Sequence, residues 1–165
     1  DHAQQRGLAA ARGAEEDEKL ALLGGQIDSI HGPAFDSSAP ADAPTASSGT
    51  AIIALTVTKD DAGNITSASA NFQISVTGFP AGTRVTDAHI HNAAAGSNGG
   101  AIVNVGLTSG ELAIANGSGS ITKNGINVPA DRAAAILTNP AGHYFNVHTA
   151  LNPGGAVRGQ LTRIR

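Results

Sequence analysis

The stretch AIIALTVTKDDAGNITSASA (residues 51–70) reads as strand, turn, strand. Ala51–Thr58 is a β-rich run of aliphatic and β-branched residues, suited to a pleated, half-buried surface. Asp60-Asp61-Ala62-Gly63-Asn64 then gathers turn formers, and Ile65–Ala70 resumes the extended pattern. This turn lacks the spaced ligands and closing glutamate of a calcium loop. The same alternation of short β-rich runs with Gly, Asn and Pro continues through Asn71–Thr77, Arg84–His91, Ala101–Leu107, Gly119–Thr122, His143–Thr149 and Ala156–Ile164. Strand-length runs with turn signals between them predict an all-β fold: a Greek-key β-sandwich or barrel of about eight antiparallel strands. Asp131–Leu137 (DRAAAIL) departs from the pattern, and its alanines behind an aspartate cap predict a helical turn.

Upstream of this region the composition changes. Residues 1–50 carry eight acids against three bases, whereas residues 51–165 carry five acids against seven. Ala14–Leu23 (AEEDEKLALL) places its acids in the first turns and ends at Gly24-Gly25, which predicts a short helix. Asp36–Gly49 (DSSAPADAPTASSG) has linker composition. The expected organisation is therefore an N-terminal helical arm over residues 1–49 and a β-domain over residues 50–165. Three uses of the arm stay open: covering the sheet, pairing with a neighbouring chain as a homo-oligomer, or linking to an anchor.

Several function classes fall away on composition. The 165 residues contain no Cys, Met or Trp, so thiolate nucleophiles, disulfides, zinc ribbons and thioether copper sites are excluded. No apolar run reaches the roughly 18–20 residues of a membrane span. Basic clusters with interleaved aromatics are missing, which argues against nucleic-acid binding. No Gly-x-Ser-x-Gly elbow supports hydrolase chemistry, and no strand–glycine loop–helix unit supports phosphate binding.

What remains is histidine. Alternation along Asp87-Ala88-His89-Ile90-His91 puts His89 and His91 on one face, about 6.6 Å apart, within reach of one metal ion. In His143–Thr149 the same rule sets Tyr144, Asn146 and His148 on one face, opposite His143, Phe145 and Val147. Imidazole-only ligation suits Cu(II), Zn(II) or Ni(II), with Cu(II) the strongest binder. Tyr144 and Asn146 are candidates to orient a ligand imidazole, and Asp87 to orient His89; Asn146 as an ordinary strand amide and Asp87 as a turn residue are the structural alternatives.

The segments Leu55–Thr58, Val76–Thr83 (VTGFPAGT), His89-Ile90-His91, Tyr144–Thr149 (YFNVHT) and Asn152–Leu161 (NPGGAVRGQL) together resemble the chordin-type (CHRD) domain. A more distant similarity is to Cu,Zn superoxide dismutase, a Greek-key barrel in which a His-x-His strand and a later Val-His strand hold copper. That resemblance implies copper rather than zinc at His89, His91 and His148, and Arg158 as the catalytic group that draws in superoxide or another small anion. It implies an extracytoplasmic protein, whether secreted, periplasmic or on the cell surface. The bridging histidine and the zinc loop have no counterpart between Asn92 and His143. The fourth copper position stays open to water, substrate, His143 or His31. A surface arginine tethering the NPGG loop is the structural alternative for Arg158, and one residue of register decides its face. Two further readings stand beside the dismutase: a non-catalytic extracellular module, and copper storage or delivery.

Overall fold

A computed structural model describes residues 15–22 and 47–163. The chain forms β1 (Glu15–Leu22), β2 (Ser48–Lys59), β3 (Ile65–Thr77), β4 (Val85–Asn92), β5 (Ala101–Asn104) and β6 (Gly119–Asn127). Helix α1 (Ala130–Thr138) follows, then β7 (His143–Thr149), β8 (Val157–Gln160) and β9 (Thr162–Arg163). The strands make a five-stranded sheet of order β6-β3-β2-β1-β9 and a four-stranded sheet of order β5-β4-β7-β8, with antiparallel pairing. This is the expected all-β sandwich. The non-sequential neighbours β3–β6 and β4–β7 arise because the chain crosses between sheets after β3, after β5 and again before β7.

The β2–β3 hairpin turns where the sequence indicated. Asp60 Oδ1 accepts from the backbone N–H groups of Ala62 (3.0 Å) and Asn64 (2.8 Å), and Gly63 takes a φ of 82°. Alternation then divides each strand between the core and the outside. Ala51, Ile53, Leu55 and Val57 of β2 join Ala70, Phe72 and Ile74 of β3 beneath Ala88, Ile90, Phe145, Val147 and Val157 of the smaller sheet, all buried. Phe72 and Phe145 bridge the two layers with ring centroids 6.0 Å apart. Ala133, Ile136 and Leu137 of α1 add to the same core.

Four local readings need correction. The stretch read as a helix over Ala14–Leu23 is strand β1, paired along its whole length with β2 and at Leu20 and Ala21 with β9. A helix that short is marginal in water, whereas pairing along β2 satisfies the backbone groups on one side of all eight residues. Ile65–Ala70 and Asn71–Thr77 are one strand, because the irregularity lies in the facing β6. There Gly125 (φ 66°) bulges and donates its N–H to Asn71 Oδ1 at 2.8 Å. Ala156–Ile164 is two strands: β8 belongs to the smaller sheet and β9 to the larger, with buried Leu161 at the crossing and its N–H on the His143 carbonyl. Helix α1 starts at Ala130 behind Pro129, so Asp131 sits in its first turn and does not cap it. Of the linker reading Asp36–Gly49, residues 36–46 lie outside the described residues, as does His31, while Ser48 and Gly49 open β2. Among the described residues no helix is long and apolar enough to cross a membrane.

Candidate metal centre

Strands β4, β7 and β8 lie side by side, and their register assembles one outward-facing cluster. Asp87 pairs with His148, His89 with Asn146 and His91 with Tyr144; across β7, Asn146 pairs with Arg158 and Tyr144 with Gln160. Direct partners in a sheet project to the same side, so all eight side chains share the outer face, opposite the core residues Ala88, Ile90, Phe145 and Val147. This register settles the face of Arg158. His143 falls on the other side of β7, buried, with its Nδ1 donating to the Asn139 carbonyl at 2.9 Å. It is not brought to the cluster.

An outward face would ordinarily be wet, yet Tyr144 and Asn146 are each only 2% exposed. The Ala93–Gly100 loop and the Ala150–Gly155 loop account for this. Arg158 donates to Asn98 Oδ1 at 2.9 Å, and Gln160 Nε2 donates to the carbonyls of Ala93 (2.7 Å) and Ala141 (2.8 Å). The Arg-Gly-Gln run of β8 therefore fastens the first loop at both ends. Gly99 belongs there for steric reasons, since a Cβ at that position would lie 1.9 Å from the Asn92 carbonyl oxygen.

The three strand histidines converge. His89, His91 and His148 form the group whose ligating nitrogens all lie within 4.8 Å of one another. Their tautomers follow from their partners. His91 Nδ1 lies 2.9 Å from the Gly99 carbonyl and His148 Nδ1 lies 2.8 Å from the Pro153 carbonyl. A carbonyl can only accept, so each Nδ1 carries the proton and each Nε2 a lone pair. His89 is reversed: its Nε2 donates to Asp87 Oδ2 at 3.1 Å, leaving the lone pair on Nδ1. His89 Nδ1 and His148 Nε2 then face one another at 3.1 Å with no proton between them. His91 Nε2 is buried with no partner among the described residues. Asn146 Nδ2 donates to His148 Nε2 at 3.3 Å and to the Gly154 carbonyl at 3.3 Å.

His148 Nε2 has the Asn146 amide as donor, but His89 Nδ1 faces that same lone pair and His91 Nε2 is buried without a partner among the described residues, an arrangement that a cation among the three would relieve. Two bonds of about 2.0–2.1 Å to one metal separate their nitrogens by roughly 2.9 Å at a right angle and roughly 3.4 Å at a tetrahedral angle. The 3.1 Å separation lies between these values. Each ligand's second nitrogen is already held by a carbonyl or carboxylate, the arrangement that fixes metal-binding imidazoles. The donor set fits a divalent ion that accepts imidazole.

Burial also disfavours protonation of His89 and His91. Desolvation lowers His89 below its ordinary 6.5, opposed by the Asp87 carboxylate and reinforced by the neighbouring His148 and His91. Desolvation is likewise the main cause for His91, opposed by its bond to Gly99 and reinforced by His148 and Arg158. Below pH 6.5 the unfolded chain takes up protons that the folded chain refuses, so stability falls as the pH drops. We expect the melting temperature of the metal-free protein to fall between pH 7 and pH 5. The slope should be shallower in a His89→Gln/His91→Gln variant, and scanning calorimetry across that range checks it.

Asp87, Tyr144, Asn146 and Arg158, singled out in the sequence, all border the cluster; Arg158 lies over the Tyr144 ring, 4.4 Å from its centroid. Gly99, Asn98, Gln160 and the Pro153 carbonyl were not foreseen. Two of these act through backbone oxygen, which has no signature in residue type.

Fold and cluster define a two-sheet β-sandwich module with a three-histidine cluster on the outer face of its smaller sheet. The CHRD domain pattern matches residues 34–161, and the chain belongs to the CHRD-domain family. No curated protein and no solved structure matches the chain.

Proposed function

We propose that this CHRD domain is an extracytoplasmic copper-binding module with superoxide dismutase-like chemistry. The observation that supports it most is the convergence of three tautomer-locked imidazole lone pairs: His89 Nδ1, His91 Nε2 and His148 Nε2. Copper is preferred because an all-imidazole site without thiolate or carboxylate follows the affinity order, in which Cu(II) exceeds Zn(II). Bound copper would supply one-electron exchange between Cu(II) and Cu(I). The chain's own residues do the rest. Asp87, Gly99 and Pro153 hold the imidazoles in place. Arg158, on the same face and anchored by Asn98, supplies positive charge that gathers a small anion. The family favours an extracellular setting.

Metal analysis after loading with Cu(II) and, separately, Zn(II) tests the reading. One copper per chain is expected, with superoxide decay accelerated by the loaded wild type and not by His91→Ala. Arg158→Ala should retain copper and react about tenfold more slowly, with a weaker dependence on ionic strength. Failure to bind copper at stoichiometric levels ends the reading. Copper bound without superoxide turnover converts it to storage or delivery.

A further inference from the structure

The chain has one tyrosine and no Cys, Met or Trp. That tyrosine is placed against the cluster. The Tyr144 ring stacks on the His91 imidazole with centroids 4.8 Å apart and planes within 8°. It is 2% exposed, and its hydroxyl oxygen accepts from the Gly99 N–H at 3.4 Å, in the residue whose carbonyl holds His91. Phenol is the most easily oxidised side chain left in this composition, and it stands in van der Waals contact with a group that would ligate a redox metal.

Resting on the copper reading above, we propose that Tyr144 is a rechargeable electron donor that protects the histidine ligands from oxidation by hydrogen peroxide. Reduced copper held by these residues would supply one electron to hydrogen peroxide and become Cu(II), which would give hydroxide and a hydroxyl-radical equivalent beside the ligands. Tyr144 gives that oxidant one electron and its phenolic proton. The oxidant departs as water, and a neutral phenoxyl radical remains on the ring. An external one-electron reductant, such as ascorbate, returns the electron, and a proton from water restores the phenol. The stack with His91 supplies the path, and burial under the Ala93–Gly100 loop keeps the radical from reacting with a second chain.

The experiment loads the full chain with one equivalent of Cu(II), reduces it with ascorbate, removes the excess ascorbate by desalting and adds hydrogen peroxide. Copper occupancy is read from the Cu(II) paramagnetic signal before reduction. The radical is read after peroxide by the sharp optical absorption of a phenoxyl, which a neighbouring Cu(II) does not silence, and oxidation of His89, His91 and His148 by peptide mass spectrometry. Wild type should give a phenoxyl signal and slow ligand oxidation. Tyr144→Phe, which keeps the stacked ring, should give no such signal and oxidise its ligand histidines several-fold faster at equal occupancy. Copper bound without a phenoxyl signal, or equal histidine oxidation in the two proteins, overturns the role of Tyr144 and leaves the copper reading intact. Failure to bind copper overturns both. The wild-type signal is independent of how well the variant folds.

Discussion

His91→Ala is expected to lower copper affinity by more than the roughly 10–100-fold that loss of an outer hydrogen-bond partner costs a metal site. The reason is geometric. His91 Nε2 is the buried lone pair with no partner among the described residues, so it is the nitrogen with most to gain from a cation. Its removal leaves His89 and His148 alone, and two imidazoles cannot set the coordination of an ion by themselves. The variant also removes the ring on which Tyr144 stacks, so packing and ligation must be separated. His91→Phe does this by keeping an aromatic ring while offering no lone pair. Both variants should lose the copper-induced rise in melting temperature, equivalent to about 2.7 kcal/mol when free copper is 100 times the wild-type dissociation constant. Isothermal titration with a competing chelator, paired with thermal melts, checks both. Wild-type affinity in His91→Phe would remove His91 from the ligand set.

Gly99→Ala should be the most damaging single methyl group in the site, costing about 3 kcal/mol of stability. The new Cβ would lie 1.9 Å from the Asn92 carbonyl oxygen and 2.5 Å from its carbon, and both are backbone. No rotamer change relieves that contact, so the Ala93–Gly100 loop must lift. Lifting it strains the Asn92 N–H bond to the Gly100 carbonyl (3.0 Å) and withdraws the Gly99 carbonyl from His91. Freed from that acceptor, His91 can place its proton on either nitrogen, and copper affinity should fall together with stability. Gly100→Ala is the control, because a Cβ there meets nothing within 4 Å. Denaturant melts of the two variants should differ by most of the stated amount.

Much of this site was legible in the sequence because period-2 alternation is local. His89 and His91 had to share a face, and Tyr144, Asn146 and His148 had to share another, wherever the strands went. That these two faces coincide is a property of the β4–β7 register, which pairs residues more than fifty positions apart. Arg158 shows the same limit: its face depended on one residue of register, and pairing with Asn146 decided it. The sandwich was legible for the same reason as the histidine pairs. Strand β1 was not, because acids followed by leucines suit a short helix as well as a strand, and the choice is made by the sheet it joins. The division of Ala156–Ile164 was equally hidden, since continuous β-rich sequence does not reveal a change of layer.

The long span between the two halves of the cluster has a kinetic consequence. His89 and His148 stand 59 residues apart in the chain, and the loops that lock them are fastened by Arg158 and Gln160, further on still. Contacts of such separation form after local hairpins such as β2–β3, because closing a long loop costs entropy before any contact repays it. A folding transition state would therefore contain little of the site, and a bound ion would stabilise the native state alone. Metal should leave the refolding rate nearly unchanged while slowing unfolding. On this view the ion acts as a lock on a finished sandwich and has no part in its assembly.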